Sequence, residues 1–146
     1  MSDQVEALFS GAVAPGVYRA SLRTAAATLA HAAERHGWRA FHLNGSDLAT
    51  KAQFLIASAR AMDFPSHFGH NWDAFEESLN DMSWAPARGY LVVFDGAGHF
   101  AQAQPDEFVV VLDILRESVK RWQKMGIPLI VLLRGAGRTA SDAPRL

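Results

Sequence analysis

Apolar residues recur along this chain in two rhythms. Four short apolar runs bounded by glycine or proline read as strands: GVYRA (16–20), WRAFHL (38–43), GYLVVFDG (89–96) and IPLIVLL (127–133). The last two are almost unbroken, the pattern of strands covered on both faces. Between them the apolar spacing lengthens to three or four, the signature of one-sided helices. Ser21 is placed to cap an Ala-rich helix, LRTAAATLAHAAERHG, that stops at Gly37. After the turn Asn44-Gly45-Ser46, a second helix runs to about Ala61, with Leu48, Phe54, Leu55, Ala59 and Met62 on its inner face and Pro65 as its stop. A third begins near His70 or Asn71 and carries Trp72, Phe75, Leu79 and Met82 in one stripe. HFAQAQ (99–104) reads as one helical turn and a loop. A fourth long helix opens on Pro105 with Asp106 and Glu107 in its first turn, buries Phe108, Val111, Leu112, Leu115, Val119 and Trp122, and ends at Gly126.

Strands alternating with helices predict an α/β fold, a small parallel sheet joined by right-handed crossovers and flanked by helices. Three strands form its centre, and the run at 16–20 offers a fourth. At 146 residues this is one domain with an extension. Residues 1–37 read as the extension, a loose lead-in over 1–15 followed by a short strand and the Ala-rich helix, packed on a main domain over 38–133. The polar, Gly/Ala-rich segment 134–146 reads as a frayed tail.

Composition narrows the chemistry. The chain has no cysteine, so disulfides, thiolate metal sites and a Cys nucleophile are excluded. No apolar run reaches the length of a membrane span, and the first residues lack the basic and apolar regions of a signal peptide, so the expected address is cytoplasmic. The net charge is −1, but it is unevenly placed. Residues 61–87 hold five acids (Asp63, Asp73, Glu76, Glu77, Asp81) and no Lys or Arg. Residues 114–146 hold two acids against seven bases, a balance of +5. Such asymmetry steers charged partners. The basic end lacks interleaved aromatics and any nucleic-acid-binding motif, so solvated faces are its plain reading and no direct nucleic-acid contact is expected.

The acidic stretch concentrates the candidate chemistry. Asp73, Glu77 and Asn80 share one helical face, with Glu76 at its edge. Two like charges one turn apart cost an isolated helix about 0.2–0.5 kcal/mol, partly offset by the exposed N–H groups of the helix start. A fold does not need that arrangement, and it suits a site for a cationic partner. Other chemistries fit less well. GAG at 96–98 and RGAGR at 134–138 match no phosphate-cradling motif and read as turns. His67, His70 and Asp73 have a spacing compatible with zinc, but Gly69 and Pro65 put the histidines on a loop and no further ligand is evident, so no metal or cofactor is expected. A carboxylate pair from Asp73 with Glu77 or Glu117 would suit glycoside hydrolysis, but nothing indicates a sugar cleft. No serine sits in a nucleophile motif. A small carboxylate- or metal-dependent enzyme is therefore the least supported reading, and the residues alone leave a protein-binding surface and an ordinary acidic surface helix equally open.

The segment FPSHFGHNWDAFEESLNDM resembles the signature of the barstar family, small intracellular inhibitors of secreted ribonucleases. Phe68-Gly69, then Asn71, Trp72, Asp73 and Ala74 match the family's aromatic loop ending in Gly, then Asn, an apolar residue and Asp-Ala at the start of an acidic helix. The resemblance extends over about residues 38–133 and leaves 1–37 outside. It implies a non-enzymatic, monomeric inhibitor whose acidic helix and preceding loop plug the active site of a basic secreted or toxin-type ribonuclease. By position it assigns partner contacts to His67, Gly69, Asn71, Asp73, Glu77 and Glu117, and Glu76 and Asn80 join the expected surface from the shared helical face. Glu77 stands where the family's most important aspartate stands and is one methylene longer. His67 replaces a tyrosine, Glu76 a tryptophan, and Asp81 a glycine. A protein-interaction module of the same fold with a non-nuclease partner is the alternative.

Overall fold

A computed structural model describes residues 3–65 and 68–146. In chain order the elements are α1 (Asp3–Phe9), β1 (Gly16–Arg19), α2 (Ala26–Arg35), β2 (Arg39–Asn44), α3 (Lys51–Ala61), α4 (Trp72–Asp81), β3 (Tyr90–Asp95), α5 (Ala97–Ala103), α6 (Pro105–Lys124) and β4 (Leu129–Leu133). The strands form one parallel sheet in the order β1-β4-β3-β2. Val92 of β3 lies opposite Phe41 on one side and Val131 on the other, which sets the central register.

Side chains alternate through the sheet and fill a core on each face. On one face Phe41, Leu43, Val92, Phe94, Val131 and Leu133 pack under α3, α4, α5 and α6. On the other, Leu91, Val93, Ile130 and Leu132 meet Leu29, Ala32 and Ala33 of α2 and Val5, Leu8 and Phe9 of α1. The unbroken apolar runs of β3 and β4 thus follow from cover on both faces. The connection β1–α2–β2 crosses one face from one sheet edge to the other, and the later connections return across the opposite face.

Four expectations are corrected. The lead-in expected over 1–15 is not loose in its described part, because Asp3–Phe9 is helical and Phe9 stacks on His36 and meets Trp38 edge-on, at 5.4 and 5.1 Å between ring centroids. Glu6 adds an ion pair to Arg35 and a hydrogen bond to His36. Ser21 does not cap α2, which starts at Ala26 with no side-chain cap. Segment 20–25 is instead spent crossing the sheet's end, where the carbonyls of Leu22 and Thr24 accept hydrogen bonds from Arg134. The tail is not frayed. Ala136, Ala140 and Ala143 are buried in the larger core, and Arg145 bridges to Arg19 on the free side of β1. HFAQAQ is also more than a single turn, since α5 spans seven residues.

Candidate functional site

The start of α4 is built by Asn71. Its backbone is extended, and its side-chain oxygen accepts from the Ala74 N–H at 2.8 Å, satisfying one of the donors that a helix start leaves open. The Asn71 amide also donates to the Gly69 carbonyl. The residue that bends the loop is His70, whose φ of 53° is left-handed and uncommon for a non-glycine. Gly69 does not adopt that conformation, and a Cβ there would make only ordinary contacts, the nearest at 3.4 Å. The loop-shaping role expected of Gly69 therefore falls to His70 and Asn71. His67 lies outside the described residues.

α4 is fixed to the body of the protein along its buried stripe. Phe75 and Leu79 are fully buried, and Trp72 is half-buried against Phe54 and Phe75. Met82, the last residue of the expected stripe, is buried but caps the helix in a left-handed conformation rather than continuing it. Two indole groups tie α4 to α6 from opposite directions. Trp72 Nε1 donates to Glu107 Oε2 at 2.7 Å. Trp122 Nε1 on α6 donates to the carbonyl of Leu79 at 3.0 Å, in the last turn of α4, where carbonyls have no partner within the helix. A third indole, Trp84, donates to the Met62 carbonyl at the end of α3. The loop before α4 rests on Phe64, which contacts Phe68, Phe75 and Trp84.

With the stripe held inward, the acids point out. Asp73, Glu76, Glu77, Asn80 and Asp81 line one open depression of about 500 Å³ together with Arg121 of α6. None of its four carboxylates forms an ion pair with a described residue. Glu77 and Asp81 also border a second depression of about 280 Å³ on the other side of α4, against Pro65, Phe68 and Trp84. These two acids therefore sit on a ridge between two hollows. The buried side-chain oxygen of Asn80 has no hydrogen-bond partner among the described residues.

The structure thus brings together Asp73, Glu76, Glu77 and Asn80 from the expected set. It does not bring Glu117 among them. That residue is exposed on α6 and pairs with Lys120 at 3.4 Å. The sequence reading missed Asp81 as a lining residue and Arg121 altogether. Asp81 lies one turn beyond Glu77, so helical spacing could have found it. Arg121 reaches the site only through the packing of α6 on α4, which no local pattern reports. Among the described residues no cluster of three His, Asp or Glu side chains is arranged to hold a metal ion, and no helix is long and apolar enough to cross a membrane.

Comparison with curated proteins returns no match. Residues 38–134, from the start of β2 to just past β4, match the family described as Barstar (barnase inhibitor), and α1, β1 and α2 lie before the matched segment. The match takes in the loop, the Asn-capped acidic helix and the three strands behind it. The chain, with its four-stranded sheet and its helix–strand addition at the N-terminal side, belongs to the barstar family.

Proposed function

We propose that this protein binds a basic ribonuclease and covers its active site with α4 and the loop before it. The observation that carries the reading is the set of four carboxylates, free of ion pairs to described residues, on an exposed helix within the barstar-family segment. Cations that a nuclease uses to hold RNA phosphates are matched by carboxylates in their place. The anchoring of α4 by Trp72, Phe75, Leu79 and Trp122 supports this, because a surface already rigid loses little freedom on binding. Asp73, Glu76 and Glu77 are the proposed charge contacts, with His70 and Asn71 positioning them and Asn80 at the edge. Glu117 would touch only a partner that reaches across to α6. Arg121 gives the surface one cation among its acids, so the partner's face carries an acceptor among its bases.

The test is inhibition of RNA cleavage by a barnase-type ribonuclease, with association and dissociation followed separately. Asp73→Ala and Glu77→Ala are each expected to weaken inhibition at least tenfold while leaving the melting temperature unchanged or slightly raised. Raising salt is expected to slow association more than it speeds dissociation, since attraction is screened over about 8–10 Å. Failure to inhibit, with the variants behaving like the parent, would move the surface to a non-nuclease partner.

A further inference from the structure

The sheet has a second candidate site, at the carboxyl ends of its strands. In open parallel sheets, ligands bind in the crevice between adjacent strands whose outgoing connections leave to opposite faces. That condition is met between β1 and β4. After β1 the chain goes to α2, which covers the face of Leu91 and Ile130. After β4 it turns to the opposite face, where Ala136, Ala140 and Ala143 join the larger core. The chain after β2 and after β3 turns to that same larger core, so the other strand pairs lack the divergence.

A crevice of about 140 Å³ lies at this point, lined among others by Arg19, Ser21, Gly135, Ala136, Gly137 and Arg145. Its lining residues include two arginines and a serine, and no Asp or Glu. Arg19 is oriented by its Nε, which donates to the Ala143 carbonyl at 2.9 Å, and its other guanidinium nitrogens have no acceptor among the described residues. The side chain of Arg145 has none either. Gly135 and Gly137 are both left-handed, with φ of 67° and 59°. The N–H groups of Gly135, Ala136 and Gly137 meet no acceptor among the described residues. Chain segments with left-handed residues and unclaimed N–H groups form concavities that hold anions, and guanidinium groups grip phosphate oxygens with paired hydrogen bonds. Arg134, by contrast, is fully used. It grips Asp95 through two nitrogens and the carbonyls of Leu22 and Thr24 through a third, which holds the neighbouring segment in place. The space is smaller than the roughly 300–1,000 Å³ of whole-ligand pockets. It suits one tetrahedral anion.

We propose that the crevice between the carboxyl ends of β1 and β4 binds a single phosphate group, held by Arg19, Arg145, Ser21 and the N–H groups of the Gly135–Gly137 loop. The site lies apart from α4 and does not depend on the ribonuclease reading. The experiment is a titration of the isotope-labelled full chain with inorganic phosphate at constant ionic strength, read as backbone amide shifts. The expected result is a saturable shift centred on Gly135, Ala136 and Gly137. Arg145→Ala, an exposed side chain without a protein partner, should weaken binding about tenfold or more, as loss of one charge-assisted contact implies. Arg19→Lys, which keeps the charge but loses the oriented Nε, should also weaken it. Lys124→Ala, on the basic end but outside the crevice, should leave it unchanged. A parallel titration with adenosine monophosphate identifies the source: tighter binding than inorganic phosphate marks a phosphate ester, and equal or weaker binding marks the free anion. Absence of saturation, or an equal loss from Lys124→Ala and Arg145→Ala, would overturn the proposal and leave only diffuse attraction to a basic surface.

Discussion

Trp122→Phe tests whether α6 holds the acidic helix at its far end. The indole is buried, lies 5.1 Å from the Tyr90 ring, and donates to the Leu79 carbonyl at 3.0 Å. Phenylalanine keeps most of the apolar contact but removes the donor. Two terms then add. A buried carbonyl left without its donor costs about 1–3 kcal/mol, a figure that already includes the lost hydrogen bond. The smaller ring leaves a gap against Tyr90 whose penalty is of the same order as a lost methylene or two. The expected loss is therefore about 2–4 kcal/mol. For a chain of this size each kcal/mol lowers the melting temperature by about 2–4 °C, giving a fall of about 4–16 °C. Urea unfolding gives the energy directly. Native-state hydrogen exchange gives its location, because the last turn of α4, including the Met82 amide bonded to Ser78, should lose protection before the strands do. A loss below about 0.5 kcal/mol, or exchange that rises evenly through the protein, would refute the reasoning. It would mean that water replaces the indole or that the carbonyl needs no donor.

Two further substitutions probe other contacts. Arg134 beside Asp95, helped by His42 and opposed by burial, holds the Asp95 carboxyl below its usual range near 3.8, so the pair stabilises the fold above that range and the contribution is lost as pH falls through the folded value. Asp95→Asn should lower stability at neutral pH and flatten the decline in urea midpoint below about pH 4, and an unchanged acid limb would show that the pair does not report on folding. Phe9→Ala removes a ring packed on His36 and Trp38 and should cost about 3–5 kcal/mol in urea unfolding, whereas a cost under about 1 kcal/mol would mean that α1 does not unfold with the rest.

Long elements with a strong rhythm were legible before the structure. Asn71, Trp72, Phe75 and Leu79 located α4 to within a residue or two, and Pro105 marked the first residue of α6. The unbroken runs of β3 and β4 announced strands covered on both faces. What stayed hidden depends on distant partners. In α1 only Val5, Leu8 and Phe9 carry the pattern, too few for a period, and their burial requires α2 and Trp38. In the last segment the buried residues are three alanines, whose weak apolar signal is lost among glycines and arginines. Arg121 illustrates the same limit at the candidate site, since it joins the acids of α4 only across the α4–α6 contact. Glu117, on the same helix, was expected there and is not among the lining residues.

Among the strands of the sheet β1 pairs with β4 alone, and Gly16 lies opposite Ile130. During synthesis the first strand therefore emerges long before the strand it must join, and α2, β2 and β3 can form while β1 has no neighbour. Pairing at such separation closes a large loop late, a slow step in folding. Until then Val17 and Tyr18 present an unpaired edge, and a second nascent chain is as eligible to meet it as the proper partner. The fourth strand thus completes the sheet by the contact of longest sequence separation among its strand pairs.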